Sequence, residues 1–363
     1  MFSLSRSAVA TLGGGVAAAS LLLAPAVTAA GHFEVVADGL NNPRHLSFSR
    51  TGDLYIAEAG LGSAGDTDAP SIVGPEGLVY FGHTGSITRL TPTGHQSRVL
   101  TGLPSTAAED GSGASGPTDV DVMGPQRYAV TVGMGGEPEE VRNTLGEGSA
   151  WLGTLLTGTF ASKPRLEADL AWFEVMANPD LGDPGSDGPD SNPGGMVRVG
   201  GGTYVVVDAG GNTLLEVKGN KTTVLAVFPE QFVPFPFPPP DQVPMDAVPT
   251  SVTVGPDGAY YVSQLTGFPF PVGGSSIWRV VPGEDPEVWA SGLTTVTDLA
   301  WHGDDLYAVQ IFDSGLAGFI APPVPGSLVH VMPGGDDPTD HTTVAGDLPA
   351  PNGVAIKGGD AYV

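Results

Sequence analysis

Four oxygen-bearing side chains follow runs of apolar residues at equivalent places of a repeated sequence pattern. They are Glu58, Asp208, Gln264 and Gln310. Carboxylate and amide oxygens are ligands that calcium accepts in flexible number and geometry. If the repeats converge on one axis, these side chains predict a Ca²⁺ site there. The alternative is that they form the polar lining of a water-filled channel end.

A second set of polar residues opens the first strand of the repeats. Its members are Arg44, His45, Thr118, Asp119, Thr250, Asp298 and Asn352. Because the innermost strands of a propeller line its central channel, we expect these residues at one channel mouth, where they would bind a ligand. His45 with Glu58 or Asp119 could form a general acid and base pair. The alternative for His45 is a hydrogen-bonded histidine of the core.

Other catalytic patterns are missing from the sequence. The remaining histidines lack a metal-ligand spacing such as His-Glu-x-x-His, no Gly-x-Ser-x-Gly precedes a helix, and there is no phosphate-binding loop. The chain has 0 cysteines, which excludes disulfides, thiolate catalysis and cysteine-bound zinc. The loop with Asp183, Asp187 and Asp190 departs from EF-hand spacing and is interpreted as a turn-rich loop. The sequence therefore assigns no catalytic residue and leaves open whether the protein is an enzyme.

The element that must position these residues is a repeated β-hairpin, which is clearest at Pro249–Gln264. Val252 and Val254 alternate with polar residues, Gly255-Pro256-Asp257-Gly258 supplies a tight turn, and Ala259 to Val262 forms the second strand. The other copies open near Arg44, Pro117, Met196, Val296 and Pro351. The pattern predicts an all-β fold, a six-bladed β-propeller of four-stranded antiparallel blades.

The two ends of the chain are expected to share the last blade. The last repeat reaches only its second strand at Val363, and the strand Phe33–Ala37 precedes the first repeat. We expect this N-terminal strand to close the ring as the outermost strand of the last blade. One strand is then still missing, so we expect that the sequence is truncated at its C-terminus. Between the blades, Glu137 to Glu147 predicts a short helix, and Pro234 to Pro249 predicts an extended surface loop.

Residues 1–30 have the organisation of a secretory signal peptide. Arg6 precedes an apolar run from Ala8 to Leu23, and Thr28-Ala29-Ala30 offers a small-residue cleavage site. We expect a secreted protein with a single propeller domain over 31–363 and no membrane span, because no later apolar run is long enough. Acidic residues outnumber basic ones by 40 to 14, and the formal net charge of -26 argues against nucleic-acid partners.

Several strings of the sequence are shared with one known family. The most specific are Asp190-Ser191-Asn192-Pro193 and Gly267-Phe268-Pro269-Phe270-Pro271, with support from Asp208-Ala209-Gly210-Gly211-Asn212. They resemble the ScyD/ScyE family over essentially the whole mature chain. The resemblance implies an exported bacterial NHL-like propeller, in a family named for its association with biosynthesis of the extracellular pigment scytonemin, and implies no catalytic residues. This chain has Gln264 and His45 where the family pattern suggests an acidic residue and a glycine.

Two function classes follow. The leading hypothesis is an exported, monomeric propeller that binds a small molecule or an extracellular or cell-wall partner, without established catalysis. The alternative is a Ca²⁺-dependent hydrolase or lactonase similar to gluconolactonase-type propellers, with Glu58, Asp208 and Gln264 as metal ligands. A purely structural role is a third hypothesis. Ca²⁺ is the only cofactor that the sequence suggests.

Overall fold

Antiparallel sheets dominate the computed structural model, which describes residues 2–4, 33–74, 77–124, 126–183, 188–235, 237, 239–316 and 324–363. The β-branched and aromatic residues that alternate with polar ones form the strands, and glycine-rich segments form the turns between them. Of the helices in these ranges, none has the length and apolar character that crossing a bilayer requires.

Five blades are each built from consecutive strands of the chain. Two short strands come first, β1 (Phe2–Leu4) and β2 (Phe33–Val35). The first blade contains β3 (Pro43–Phe48), β4 (Leu54–Glu58), β5 (Ser71–Gly74), β6 (Gly77–Leu90) and β7 (Gln96–Ala107). The second contains β8 (Pro117–Met123), β9 (Arg127–Val132), β10 (Thr154–Thr159) and β11 (Arg165–Asp169). The third contains β12 (Pro193–Gly200), β13 (Thr203–Asp208), β14 (Thr213–Lys218) and β15 (Lys221–Val227).

The fourth and fifth blades follow an additional hairpin. That hairpin consists of β16 (Gln231–Pro234) and β17 (Gln242–Met245). The fourth blade contains β18 (Pro249–Val254), β19 (Tyr260–Gln264), β20 (Ser275–Val280) and β21 (Glu287–Leu293). The fifth contains β22 (Val296–His302), β23 (Asp305–Phe312), β24 (Pro325–Val331) and β25 (Thr342–Leu348). The propeller of four-stranded antiparallel blades is thereby confirmed.

One more sheet combines strands from both ends of the chain. Its order is β2-β1-β27-β26, where β26 is Ala355–Lys357 and β27 is Asp360–Tyr362. Six blades were predicted, but only five are built from their own consecutive strands, because the last repeat supplies two strands. The strand β2 pairs with β1, which lies between it and β27. The count of six and the closure of the ring stay predictions.

Two insertions between the repeats differ in how well the sequence predicted them. The short helix is confirmed as α1 (Pro138–Leu145), whose first backbone N–H groups bond the side chain of Glu137. The proline-rich stretch was predicted as an extended loop, but it begins with the β16–β17 hairpin, in which Gln231 pairs with Met245. Proline is tolerated there because a two-stranded hairpin has two free edges. A second helix, α2 (Leu170–Ala177), follows β11, and short 3₁₀ turns lie at Glu147–Ser149 and Pro338–Asp340.

The apolar core lies between neighbouring sheets. Tyr55 and Ile87 of the first blade, for example, pack with Val120 and Tyr128 of the second. Similar clusters join each blade to the next, and the sheet of the chain ends packs against both the fifth and the first blades. Because side chains alternate between the two faces of a strand, each sheet buries apolar residues on both sides. The packed blades thereby hold the polar starts of their inner strands close to one another.

Candidate functional site

A charged cluster fills the centre of the propeller, formed by His45, Asp119 and Asp298. The His45 ring is buried, with Nε2 at 3.1 Å from the carbonyl oxygen of Thr297 and Nδ1 at 4.0 Å from Asp119 Oδ2. Burial lowers the pKa of His45, but the negative charges of Asp298 and Asp119 outweigh it and raise this pKa to about 9. His45 is therefore an imidazolium at neutral pH and donates its Nε2–H to Thr297.

The two aspartates of this axial cluster bond the inner strands of other blades. Asp119 Oδ2 accepts a hydrogen bond of 2.7 Å from the backbone N–H of Met196 in the third blade. Asp298 accepts one of 2.6 Å from the hydroxyl of Ser251 in the fourth blade, and one of 2.8 Å from the backbone N–H of Val354. The cluster therefore links five blades and the last repeat through hydrogen bonds and charge interactions, which indicates a structural role.

Two glycines let the axial side chains pack this closely. A Cβ atom on Gly195 would lie 2.8 Å from Ser251 Cα and 3.1 Å from His45 Cε1. One on Gly353 would lie 2.6 Å from the carbonyl oxygen of Arg44 and 2.9 Å from His45 Cα. At the level of His45 the axis is thus filled by packed side chains, which weighs against a ligand bound along the axis.

Three other residues predicted at the channel mouth donate hydrogen bonds to backbone carbonyl groups. Thr118 Oγ1 donates to the Gly116 carbonyl at 3.1 Å, and Thr250 Oγ1 donates to the Val296 carbonyl at 2.9 Å. Arg44 Nη2 donates to the Ala114 carbonyl at 2.5 Å. Arg44 and Asn352 line a common cavity of about 140 Å³ between the first blade and the last repeat. Of the seven residues predicted at the mouth, the structure groups His45, Asp119 and Asp298 around the axis.

The carboxylates predicted as metal ligands are bonded within their own blades. Glu58 accepts hydrogen bonds from Arg98 Nη2 at 2.7 Å and from the backbone N–H of Asn41 at 2.6 Å. Burial raises the pKa of Glu58, but these bonds and one from Thr88 outweigh burial and lower it. Asp208 accepts bonds from Ser191 Oγ at 2.7 Å and the Asn192 N–H at 2.6 Å, while burial raises its pKa to about 6.

The two glutamines of the same predicted set are bonded in the same way. Gln264 Oε1 accepts the indole N–H of Trp278 at 2.8 Å, and Gln310 Oε1 accepts the backbone N–H of Thr294 at 2.7 Å. Glu58, Asp208 and Gln310 thus each hold the segment that enters their own blade. Within the described ranges, no three histidine, aspartate or glutamate side chains are already grouped to hold a metal. Each of these four residues thus bonds within its own blade, and their role as one Ca²⁺ ligand set stays a prediction.

A group of exposed and half-buried aromatic rings lies beside the fourth blade, formed by Phe235, Phe237, Phe268 and Phe270 and called here the aromatic patch. The ring centroids of Phe235 are 6.0 Å from Phe237 and 5.9 Å from Phe268, and Phe268 is 6.3 Å from Phe270. Phe237 is 55% exposed and Phe268 42%. Sequence reasoning did not group these rings, although phenylalanines spaced between prolines in both segments were a signal for an ordered apolar surface.

The chain has distant similarities to solved structures. No protein-family model and no curated protein matches it. Virginiamycin B lyase from Staphylococcus aureus has 12% identity and a TM-score of 0.45, covering 88% of this chain and 75% of that one. A Thermus thermophilus protein provisionally classed as an oxidoreductase (glucose dehydrogenase) has 16% sequence identity and a TM-score of 0.42. The match covers 82% of this chain and 99% of that one. A protein provisionally classed as a gluconolactonase has 13% sequence identity and a TM-score of 0.35. The match covers 82% of this chain and 92% of that one. These similarities are too low to indicate an activity.

Proposed function

We propose that this protein is an exported propeller of ScyD/ScyE type that binds a small, apolar, aromatic molecule on the aromatic patch, without catalysis of its own. The observation that carries the proposal is the continuous contact of four phenylalanine rings at the surface. They come from two segments, the β16–β17 hairpin and the loop between β19 and β20. Exposed apolar groups that touch one another mark binding sites in soluble proteins, especially on so acidic a chain.

The geometry of the rings suits a planar ligand. Neighbouring rings of the patch stand at 85°, 61° and 90° to one another, so they present ring faces in several directions. Offset-stacked and edge-to-face contacts each contribute about 0.5–1.5 kcal/mol beyond the area that they bury. Because side chains fill the axis at His45, the surface is also the more accessible place for a ligand.

The test is an equilibrium titration with the neutral, polarity-sensitive dye Nile red, followed by competition with uncharged planar aromatic compounds. Phe235→Ala and Phe268→Ala should each weaken dye binding by about tenfold, from the loss of one ring contact and its apolar area. Leu166→Ala is the matched control, since Leu166 is 52% exposed on the outer strand of another blade. Equal dye affinity in all three variants would refute the proposal and favour a structural or cell-wall role.

The alternative of a Ca²⁺-dependent lactone hydrolase is not adopted. It requires Glu58 and Gln264 as ligands, but Glu58 is held by Arg98 and Gln264 Oε1 by Trp278. The Glu58 carboxylate is buried, and a buried carboxylate loses its cationic partner only at a high cost in free energy. No contact of the described residues favours this alternative.

We also propose that β26 and β27 belong to a sixth blade that closes the ring between the fifth and the first blades. In support, β26 lies beside both β22 and β3, and the ring of Phe48 is 5.0 Å from that of Tyr362. Because the chain has 0 cysteines, a Phe48→Cys and Tyr362→Cys pair can be joined specifically by a short bifunctional maleimide. Intramolecular crosslinking should be fast, and its absence would contradict closure.

Export is proposed on the predicted signal sequence, which lies outside the described residues except for β1. The strand β1 pairs with β2 and β27, so a mature chain that begins near Gly31 would lack this neighbour of both strands. N-terminal sequencing of protein secreted from a bacterial host should start near Gly31. A product that retains Met1 would contradict export through this segment.

A further inference from the structure

An acidic cluster lies where the second, third and fourth blades meet, formed by Glu174, Asp180, Asp190, Asp208 and Asp246. Glu174 belongs to α2, Asp180 and Asp190 to the loop after it, Asp208 to the end of β13, and Asp246 directly follows β17. Among the ion pairs of the described residues, none joins a basic side chain to this cluster. The negative charge of these carboxylates therefore has no basic side chain to balance it.

Burial acts strongly on part of this cluster. Glu174, Asp180 and Asp208 are 1%, 6% and 0% exposed. Carboxylates that are held together away from water are stabilised when a cation binds between them.

One carboxylate oxygen in the cluster has no hydrogen-bond partner. Glu174 is only 1% exposed, and its Oε2 atom contacts no donor in the described parts of the chain. The absence of a side chain on Gly211 makes room for this oxygen, since a Cβ atom there would lie 2.5 Å from it. An unpaired buried carboxylate oxygen is costly, so its place next to other carboxylates points to a ligand that accepts electron pairs.

Asn178 adds a further polar atom at the same place. It ends α2 in the left-handed region, with φ of 37°, so that the chain turns and brings Asp180 back toward Glu174. One polar atom of the Asn178 amide lies 3.2 Å from Glu174 Oε1 and 2.9 Å from Asp180 Oδ1. If this atom is nitrogen, it donates to both carboxylates. If it is oxygen, it faces two carboxylate oxygens at the spacing found around a shared cation.

We propose that Glu174, Asn178 and Asp180 are ligands of a divalent cation of the calcium class. Oxygen ligands without histidine or cysteine favour Ca²⁺ over Zn²⁺, and water can complete the coordination. Asp208 lies near, but its oxygens already accept bonds from Ser191 and Asn192, so it contributes charge rather than a ligand. This site is separate from the set of residues predicted from the repeats and does not depend on the proposed function.

The cation also has a structural consequence for the neighbouring hairpin. Asn212 donates to Asp180 Oδ2 at 3.1 Å, and its Oδ1 accepts the backbone N–H of Val248 at 3.0 Å. Val248 lies just before β18, three residues after the β16–β17 hairpin ends at Met245. Binding at Asp180 would therefore order the base of the hairpin that carries Phe235.

Calorimetric titration of CaCl₂ into chelator-treated full-length protein tests this site directly. We expect one saturable site in the wild type and a loss of affinity on the order of 100-fold in Glu174→Gln, because a charged ligand is removed. Glu109→Gln is the matched control: it makes the same change at an exposed residue and should leave the affinity unchanged. Circular dichroism checks that each variant is folded. No saturable heat in the wild type, or equal affinity in Glu174→Gln, would overturn the proposal.

Asn178→Asp separates the two orientations of the amide. If an oxygen of residue 178 faces the cation, the variant should bind Ca²⁺ at least as tightly as the wild type, and Ca²⁺ should raise its midpoint of thermal unfolding. If the amide nitrogen joins the two carboxylates, the wild type should show no saturable Ca²⁺ binding, and only the variant, whose new carboxylate replaces that nitrogen, should gain it. That second result would also overturn the proposal.

Discussion

The axial imidazolium should make stability depend on pH in a way that one substitution reveals. The pKa of His45 rises from 6.5 to about 9 in the folded protein, because Asp298 and Asp119 offset the effect of burial. Since the folded state holds the proton more tightly, the stabilisation is complete below about pH 6.5 and is lost as the pH rises through about 9. With 1.36 kcal/mol for each pKa unit, the effect is about 3 kcal/mol.

His45→Gln removes the charge and keeps a polar side chain next to Thr297. Urea unfolding, followed by tryptophan fluorescence, should be measured for both proteins from about pH 6.5 to about pH 9.5. The difference in unfolding free energy between wild type and variant should shrink by about 3 kcal/mol over this range. Glu174 and Asp208 have raised pKa values and therefore lower the unfolding free energy of both proteins as the pH rises. Subtracting the unfolding free energy of the variant from that of the wild type cancels this common contribution.

A matched histidine provides the control. His330 lies at the surface, with Nε2 at 3.2 Å from Asp305 Oδ1. Solvent screens this pair, so His330→Gln should lower the unfolding free energy by no more than about 1 kcal/mol. If the difference between wild type and His45→Gln stays constant with pH, His45 is not charged in the folded protein and the electrostatic reasoning is wrong.

Three further substitutions test the packing around the candidate sites. Arg98→Ala should lower the unfolding free energy by about 2–3 kcal/mol, because it removes the cation beside the buried Glu58 carboxylate while solvent screens part of the interaction with Arg98, which is 39% exposed. A loss below about 1 kcal/mol would contradict this role of Arg98. Gly195→Ala should cost about 1–3 kcal/mol by crowding the axial histidine, while Gly346→Ala, whose Cβ has room, should be nearly neutral in the same thermal unfolding assay. Asn212→Ala should lower the unfolding free energy by about 2 kcal/mol and speed hydrogen exchange of the amides just before β18. Unchanged exchange would mean that the Asn212 hydrogen bonds do not hold the segment before β18 in place.

The repeated hairpin was readable from the sequence because it is a local feature. Gly255-Pro256-Asp257-Gly258 directs a turn, and the alternation around it selects strands, so the β18–β19 pairing at Val252 and Val262 appears as expected. The helix α1 was predictable for the same reason, since its cap and first turn are adjacent in the chain. The equivalence of His45, Asp119 and Asp298 also followed from alignment of the repeats.

The partners of these side chains were decided only by the tertiary structure. Glu58 looks like a free oxygen ligand in the sequence, yet Arg98, 40 residues later, occupies it once the outer strand of the blade is in place. Glu174 stands alone in an apolar helix until the folded chain brings Asp180 and Asp208 beside it. Local propensities determine strands and turns, whereas the environment of a charge depends on long-range packing between blades. The sequence therefore determined the repeat and the positions that face the axis. The packing of the blades decided which of those positions hold the blades together by hydrogen bonds, and where a cation or a ligand has room to bind.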